Sequence, residues 1–403
     1  MPEPRPQTIM CWARPLTVAI ILGMATACGG PEPRDPAVVA AIETGAERYA
    51  AERSARDEQR LERFIERFEA VSRGETGDDT FDVLLFSGGA EWGAFGAGYM
   101  AQWAEEGAAA DPAMPVFDVV GGISTGALMA AYVASGEPER YRALEDFYRR
   151  VSPEWIEFRG LLAILSPATV SMIDNERVRE QVAIAVDEEL VEDLRRAHAE
   201  NRQILAGTVN LDYGAIRYWD LAEIAATRPD PKGRIVDVLM AATAIAGVFP
   251  PVEIDGALYA DLGYVEGIPA FRGRNMDAFA ELWRARNGAT PAPTMRLWLV
   301  YNIPIGIEPE PVELSLVPLA MRGYDALVQA SFRNPVETAL LLRRLSEQHR
   351  TPPLEVRWIA IPPSFEEPPD AVPFDPRTAN ALAELGREAA ARPGGGWRQD
   401  APE

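Results

Sequence analysis

Two strand-to-helix junctions decide most of what this 403-residue chain can fold into. The apolar run Val83-Leu84-Leu85-Phe86 passes into Ser87-Gly88-Gly89-Ala90-Glu91-Trp92-Gly93, then into the small-residue stretch Ala94-Phe95-Gly96-Ala97-Gly98-Tyr99-Met100. A second run, Phe117–Val120, passes into Gly121-Gly122-Ile123-Ser124-Thr125-Gly126 and then Ala127-Leu128-Met129-Ala130-Ala131. Short unbroken apolar runs bounded by glycine are the mark of strands buried on both faces. The order is strand 81–86, helix 92–107, strand 117–120, helix 125–135. Such a βαβα unit makes a parallel sheet with a right-handed crossover. Parallel neighbours end on the same edge, so the two glycine turns lie side by side. Further strands are predicted over 203–209, 295–301 and 354–361, and helices over 175–201, 235–246, 316–349 and 377–391. The 316–349 helix is expected to break near Asn334-Pro335. There is no internal repeat.

Glycines after a buried strand usually let backbone N–H groups approach negative charge. A phosphate loop of the G-x-x-x-x-G-K-[ST] type fails, because Ala94 and Phe95 follow Gly93 and no lysine is near. A dinucleotide site needs its G-x-G-x-x-G/A at the strand end and an acid at the tip of the next strand. Gly96-Ala97-Gly98-Tyr99-Met100-Ala101 has the letters but lies inside the helix, and the second strand ends in glycine. Gly122-Ile123-Ser124-Thr125-Gly126 reads better. It is a G-x-S-x-G between strand and helix, the context of a nucleophile elbow, with glycines relieving crowding about Ser124. The plainer reading of Ser124 is a helix N-cap. With a nucleophile there, the neighbouring glycine turn becomes an oxyanion hole, whose donors are each worth about 2.7–4 kcal/mol.

The chain has two histidines, His198 in a charged helical stretch and His349 ahead of a predicted strand. Neither stands on a loop beyond a strand end, where a hydrolase histidine belongs. Lys232, the single lysine, sits in a polar turn. A carboxylate within hydrogen-bond reach can take a serine proton directly. Asp255-Gly256 reads as a hairpin turn, which leaves Asp261, at the end of the following run, as the base.

Ser87–Gly93, Gly122–Gly126, the stretch Ala242–Val252 and Asp261-Leu262-Gly263 together resemble the patatin-like phospholipases. Order and spacing match over 81–270, and later strands extend the likeness to about residue 365. The resemblance implies an α/β chain: a patatin-like three-layer sandwich with a mainly parallel central sheet, here with an added N-terminal helix. It implies hydrolysis of acyl esters, often phospholipids, by a Ser–Asp dyad without metal or cofactor. The dyad maps to Ser124 and Asp261, the oxyanion glycines to Gly88, Gly89 and Gly93, and the elbow glycines to Gly122 and Gly126. Three positions depart from the family pattern: Ala90 for a glycine, Trp92 for a basic residue, and Leu262 for a glycine. Leu262 is the expected point of backbone strain, if that position needs φ > 0. Two alternatives remain open on the residues: a weak or non-catalytic lipid-binding protein on the same fold, and a soluble-ester esterase using His349.

Outside that domain, Arg5 and Arg14 precede Leu16–Ala27, an apolar stretch shorter than the ~20 residues that span a bilayer. Residues 1–27 therefore read as a secretory signal. Ala25-Thr26-Ala27-Cys28-Gly29-Gly30 resembles a bacterial lipoprotein cleavage box, so Cys28 is the expected lipidation site. That predicts a membrane-anchored protein of the cell envelope, the alternative being a soluble periplasmic one. Residues 28–79 form a proline-rich tether and an amphipathic helix, with Leu61, Phe64, Ile65, Phe68 and Val71 on one stripe. The hydrolase domain is expected over 80–391 and a disordered tail over 392–403. A net charge of -22 argues against nucleic acid as a partner and disfavours adhesion to anionic lipid. The resemblance implies lipid or another acyl ester as substrate. Oligomeric state is not legible.

Overall fold

The computed structural model describes residues 34–402 apart from 161–165, 167–168, 264, 270–272, 307–310 and 350–351. The signal segment 1–27 and Cys28 lie outside the described residues. Two helices come first, α1 (Pro36–Thr44) and α2 (Ala46–Ser72). The apolar stripe of α2 packs onto the domain: Ile65, Phe68 and Val71 are buried, and the Phe64 and Phe68 rings each lie 4.7 Å from Phe81. Two arginines of the same helix reach buried carboxylates, Arg67 to Asp118 at 2.6 Å and Arg63 to Asp220 at 2.8 Å.

The two junctions then form as β1 (Thr80–Phe86), α3 (Ala94–Glu106), β2 (Val119–Ile123) and α4 (Thr125–Val133). A single turn of 3₁₀ helix, Ala90–Gly93, precedes α3. Next come α5 (Pro138–Arg149), α6 (Glu176–Ala185) and α7 (Glu188–Ala199). The sequence predicts one helix over 175–201. Asp187 splits it, because its side chain accepts the Leu190 N–H and caps α7. The chain continues as β3 (Gln203–Asn210), β4 (Ala215–Asp220), α8 (Leu221–Thr227), α9 (Pro231–Thr243), β5 (Val252–Ile254) and β6 (Ala257–Asp261). Asp255 (φ 53) and Gly256 (φ 78) turn the β5–β6 hairpin, as expected of Asp-Gly. The remaining elements are α10 (Gly273–Asn287), β7 (Thr294–Tyr301), α11 (Leu316–His349), β8 (Leu354–Ala360) and α12 (Pro376–Ala390). The expected break at Asn334-Pro335 is absent, and Pro335 lies inside α11.

The sheet runs β8-β7-β1-β2-β3-β6-β5, with β4 also paired to β3. The first five strands are mutually parallel, and β4, β5 and β6 pair antiparallel. On β1, Phe81, Val83 and Leu85 enter a core with α2, α10 and α11, while Leu84 and Phe86 enter another with α3, α4, α9 and α12. Helices on both faces of a mostly parallel sheet give the three-layer α/β sandwich.

β3 sets the position of the site. Its residues 205–207 pair with β2 on one edge and β4 on the other, and its residues 208–210 pair with β4 and β6. So β6 occupies the β2 edge, just past the end of β2. The two strands run toward one another, Ile123 opposite Gly207 and Asp261 opposite Thr208.

The C-terminal segment corrects the expectation of a disordered tail over 392–403. Gly394, Gly395 and Gly396 all take positive φ (69, 61 and 68°) and turn Trp397 into the core. Its ring lies 5.0–5.3 Å from Tyr99, Trp103 and Trp298. The Arg398 and Trp358 backbones then exchange hydrogen bonds at 2.8 and 2.9 Å. The glycine run that looks like a flexible linker is the turn that delivers an aromatic anchor.

Candidate active site

Ser124 follows β2 and caps α4 at φ 55°, ψ -128°, a strained conformation for a non-glycine residue. Its two flanking glycines make that turn possible. A Cβ on Gly122 would lie 1.9 Å from the Gly126 carbonyl oxygen, and one on Gly126 would lie 2.7 Å from the carbonyl oxygens of Phe86 and Ser87. Tyr148 braces the elbow from α5, its hydroxyl donating to the Thr125 carbonyl at 3.2 Å. The serine is 8% exposed, so it is reachable only through the cavity it lines.

Asp261 arrives from the opposite direction at the end of β6 and is 2% exposed. Its carboxyl shares one cavity with the Ser124 hydroxyl, close enough for the serine to favour the ionised form, and it accepts the Gly263 N–H at 2.7 Å. Burial pushes its carboxyl up to about 6 from an ordinary 3.8, against the opposing pull of Ser124 and of the Gly263 N–H. No histidine or lysine lines the cavity that Ser124 and Asp261 share. His198 belongs to α7, which leads into the start of β3, the edge of the sheet opposite the site. His349 ends α11, 17 residues beyond the cavity-lining Phe332, about 25 Å at the rise of an α-helix.

The glycine loop wraps the serine, but its members differ in role. A Cβ on Gly88 would stand 3.2 Å from that of Ser124, so this glycine makes room for the serine. Its N–H, however, donates to the Gly267 carbonyl at 3.0 Å, which removes it from the expected oxyanion donors. Gly93, unlike Gly88, does not line the cavity. It lets the Thr125 hydroxyl and the Tyr148 ring approach, both within 2.8 Å of where its Cβ would be. The N–H groups of Gly89 and Ala90, both on the cavity wall, have no hydrogen-bond acceptor among the described residues. Gly89 is held open by φ 154° and by Asn302, whose carbonyl oxygen would be 2.6 Å from a Cβ there.

Strain falls at a different residue from the one expected. Ala90 takes φ 48°, whereas Leu262 is not among the positive-φ residues and is fully buried. The sequence places the strain at Leu262; the backbone places it at Ala90.

Two parts of the site have no local signal in sequence. Asn302, just after β7, is fully buried and ties the loop to its neighbours. Its N–H donates to Ser87 Oγ (2.8 Å), its side-chain amide to the Ser87 carbonyl (3.0 Å), and its side-chain oxygen accepts from Gly96 N–H (3.1 Å). The second part is a strap, residues 362–375, that lays Ala371, Val372 and Pro373 on the cavity. Trp92 donates its indole N–H to Glu367 at 2.9 Å and meets Phe365 edge-on at 5.7 Å. Glu91 accepts the Phe374 N–H at 3.1 Å. Trp92, where a basic residue is the usual one, therefore fastens this strap. Trp155 and Ile156 do not line the cavity. The cavity is about 110 Å³ and mostly apolar, with Phe249, Ile303, Val328 and Phe332 forming much of its wall.

Comparison with known proteins follows the same lines. Residues 84–272 match the family model of the patatin-like phospholipases. No curated protein matches the chain. Among solved structures, VipD from Legionella pneumophila aligns at 12% identity and a TM-score of 0.36, over 76% of this chain and 65% of VipD. The chain thus spans less than two thirds of that protein's length.

Proposed function

We propose, from the match of residues 84–272 to the patatin-like phospholipase family model, a serine acyl-ester hydrolase working through a Ser124–Asp261 dyad. The observation that carries this reading is the buried contact of Ser124 with Asp261 in an apolar cavity whose lining includes no histidine or lysine.

Ser124 Oγ attacks the ester carbonyl carbon while its proton passes to the Asp261 carboxylate. The tetrahedral oxyanion is held by the Gly89 and Ala90 N–H groups. The intermediate collapses by breaking the carbon–oxygen bond to the alcohol, which leaves with the proton from Asp261. Water then attacks the acyl-enzyme, giving a proton to Asp261. The second collapse releases the acid, and the proton returns to Ser124 Oγ. A carboxylate pushed up to about 6 is a stronger base than an ordinary aspartate, yet is still mostly ionised at neutral pH. The apolar wall suits an acyl chain, so lipid is the substrate class.

The lipid anchor expected at Cys28 belongs to the same reading and puts the enzyme at the cell envelope. Loss of palmitate labelling in Cys28→Ala is the expected outcome, and retained labelling removes the anchor. For the chemistry, hydrolysis of p-nitrophenyl esters is expected to fall at least a hundredfold in Ser124→Ala and Asp261→Asn and to stay within twofold in His349→Ala. Loss in His349→Ala with activity kept in Asp261→Asn would overturn the dyad.

A further inference from the structure

Helix α11 has two apolar faces. Inward, Phe332 and Val336 are buried in the core, and Val328 and Phe332 line the cavity of Ser124. Outward stand Leu316, Leu319, Leu327, Leu341 and Leu345, exposed by 67, 49, 72, 55 and 40%. At 100° per residue these five fall on one stripe opposite the cavity side. A leucine stripe of this length in water is a large exposed apolar patch for a folded protein, and such patches mark interaction surfaces. Val265 and Val372 are also exposed, by 54 and 50%. Val372 also lines the cavity.

We propose that the outward face of α11 docks on the surface of a zwitterionic phospholipid bilayer. Two observations select this occupant. The helix that carries the patch also lines the cavity, through Val328 and Phe332 on its other side. And α11 is free of the negative charge that dominates the chain: it carries four arginines and three carboxylates, in a chain of net charge -22. A neutral surface suits that helix, while the rest of the molecule repels an anionic one. No described helix is long and apolar enough to cross a membrane, so the contact is peripheral, with leucines entering the headgroup region.

The choice of lipid rests on the acyl-hydrolase reading, but docking can be measured without hydrolysis. The test, run throughout in a Cys28→Ala background so that no acyl anchor contributes, is flotation of the full chain with phosphatidylcholine vesicles, beside turnover of a monomeric soluble ester. Wild type and Ser124→Ala are expected to float equally. The triple variant Leu316→Glu, Leu319→Glu, Leu327→Glu is expected to float at least tenfold less and to hydrolyse vesicle lipid at least tenfold more slowly. Its turnover of the soluble ester is expected within twofold of wild type, which also reports that it folds. Unchanged flotation of the triple variant overturns the proposal. So does a wild-type dimer that the triple variant makes monomeric without change in flotation, since a second copy then covers the face. If no ester is turned over by any variant, the hydrolase reading fails while flotation still decides the docking.

Discussion

Asp261 carries the pH dependence. Its folded carboxyl titrates near 6 because burial penalises the charge, and its unfolded value is near 3.8. The folded protein therefore binds this proton more tightly. Its stabilising effect is full below about pH 4 and is lost as pH rises through about 6. At neutral pH, where the base must be ionised to work, the ionised side chain opposes folding. Asp261→Asn is expected to gain stability relative to wild type between pH 4 and 7, by up to about 3 kcal/mol. In wild type, kcat/KM is expected to rise with pH along a limb centred near 6. Denaturant titrations at several pH values and a pH–rate profile check both; a limb near 4 with no change in relative stability would contradict them. Ala90 and Leu262 give a second pair. Relief of the φ 48° conformation in Ala90→Gly is expected to stabilise by about 0.5–1 kcal/mol. Leu262→Gly, which empties a fully buried site, is expected to cost at least about 2–5 kcal/mol. Opposite signs in thermal melts would restore the strain at Leu262. Which glycine spends its N–H, and which alanine has positive φ, is not written in the local sequence: Gly88 depends on Gly267 and Gly93 on Tyr148, both distant in the chain.

At the scale of elements, the two junctions and the serine elbow were legible, because a strand, a turn and a helix each have a local pattern. Asp261 was legible as the candidate base, though its meeting with Ser124 needs the end-to-end arrangement of β2 and β6 on one edge of β3. The strap was not legible. Residues 362–375 have no periodicity, and their hold on the cavity is made by Trp92 and Glu91. With the strap down, the cavity is about 110 Å³, below the roughly 300 Å³ at which ligand pockets begin, so a long acyl chain requires it to move. Trp92→Phe keeps an aromatic ring but drops the bond to Glu367. The ratio of kcat/KM for long over short p-nitrophenyl esters is expected to rise at least threefold in that variant. An unchanged ratio would mean that the strap does not limit access.

For the whole molecule, the fold explains why so many glycines cluster in one stretch. Gly96 and Gly98 are packing positions: a Cβ on Gly96 would lie 2.5 Å from Asn302, and one on Gly98 2.1 Å from the Ala383 carbonyl oxygen of α12. Gly88 and Gly89 make room for Ser124 and Asn302. One sequence segment thus serves two tasks, close helix packing and a loop beside a nucleophile, which is why its letters imitate a nucleotide-binding motif. The central claim is that Ser124 is the nucleophile and Asp261 its base. The most direct measurement is peptide mapping of the fluorophosphonate adduct, with labelling rates for wild type, Asp261→Asn and His349→Ala. A single adduct on Ser124, formed at least a hundredfold more slowly in Asp261→Asn and at the wild-type rate in His349→Ala, is predicted. An adduct on another residue, or a rate indifferent to Asp261, would contradict it.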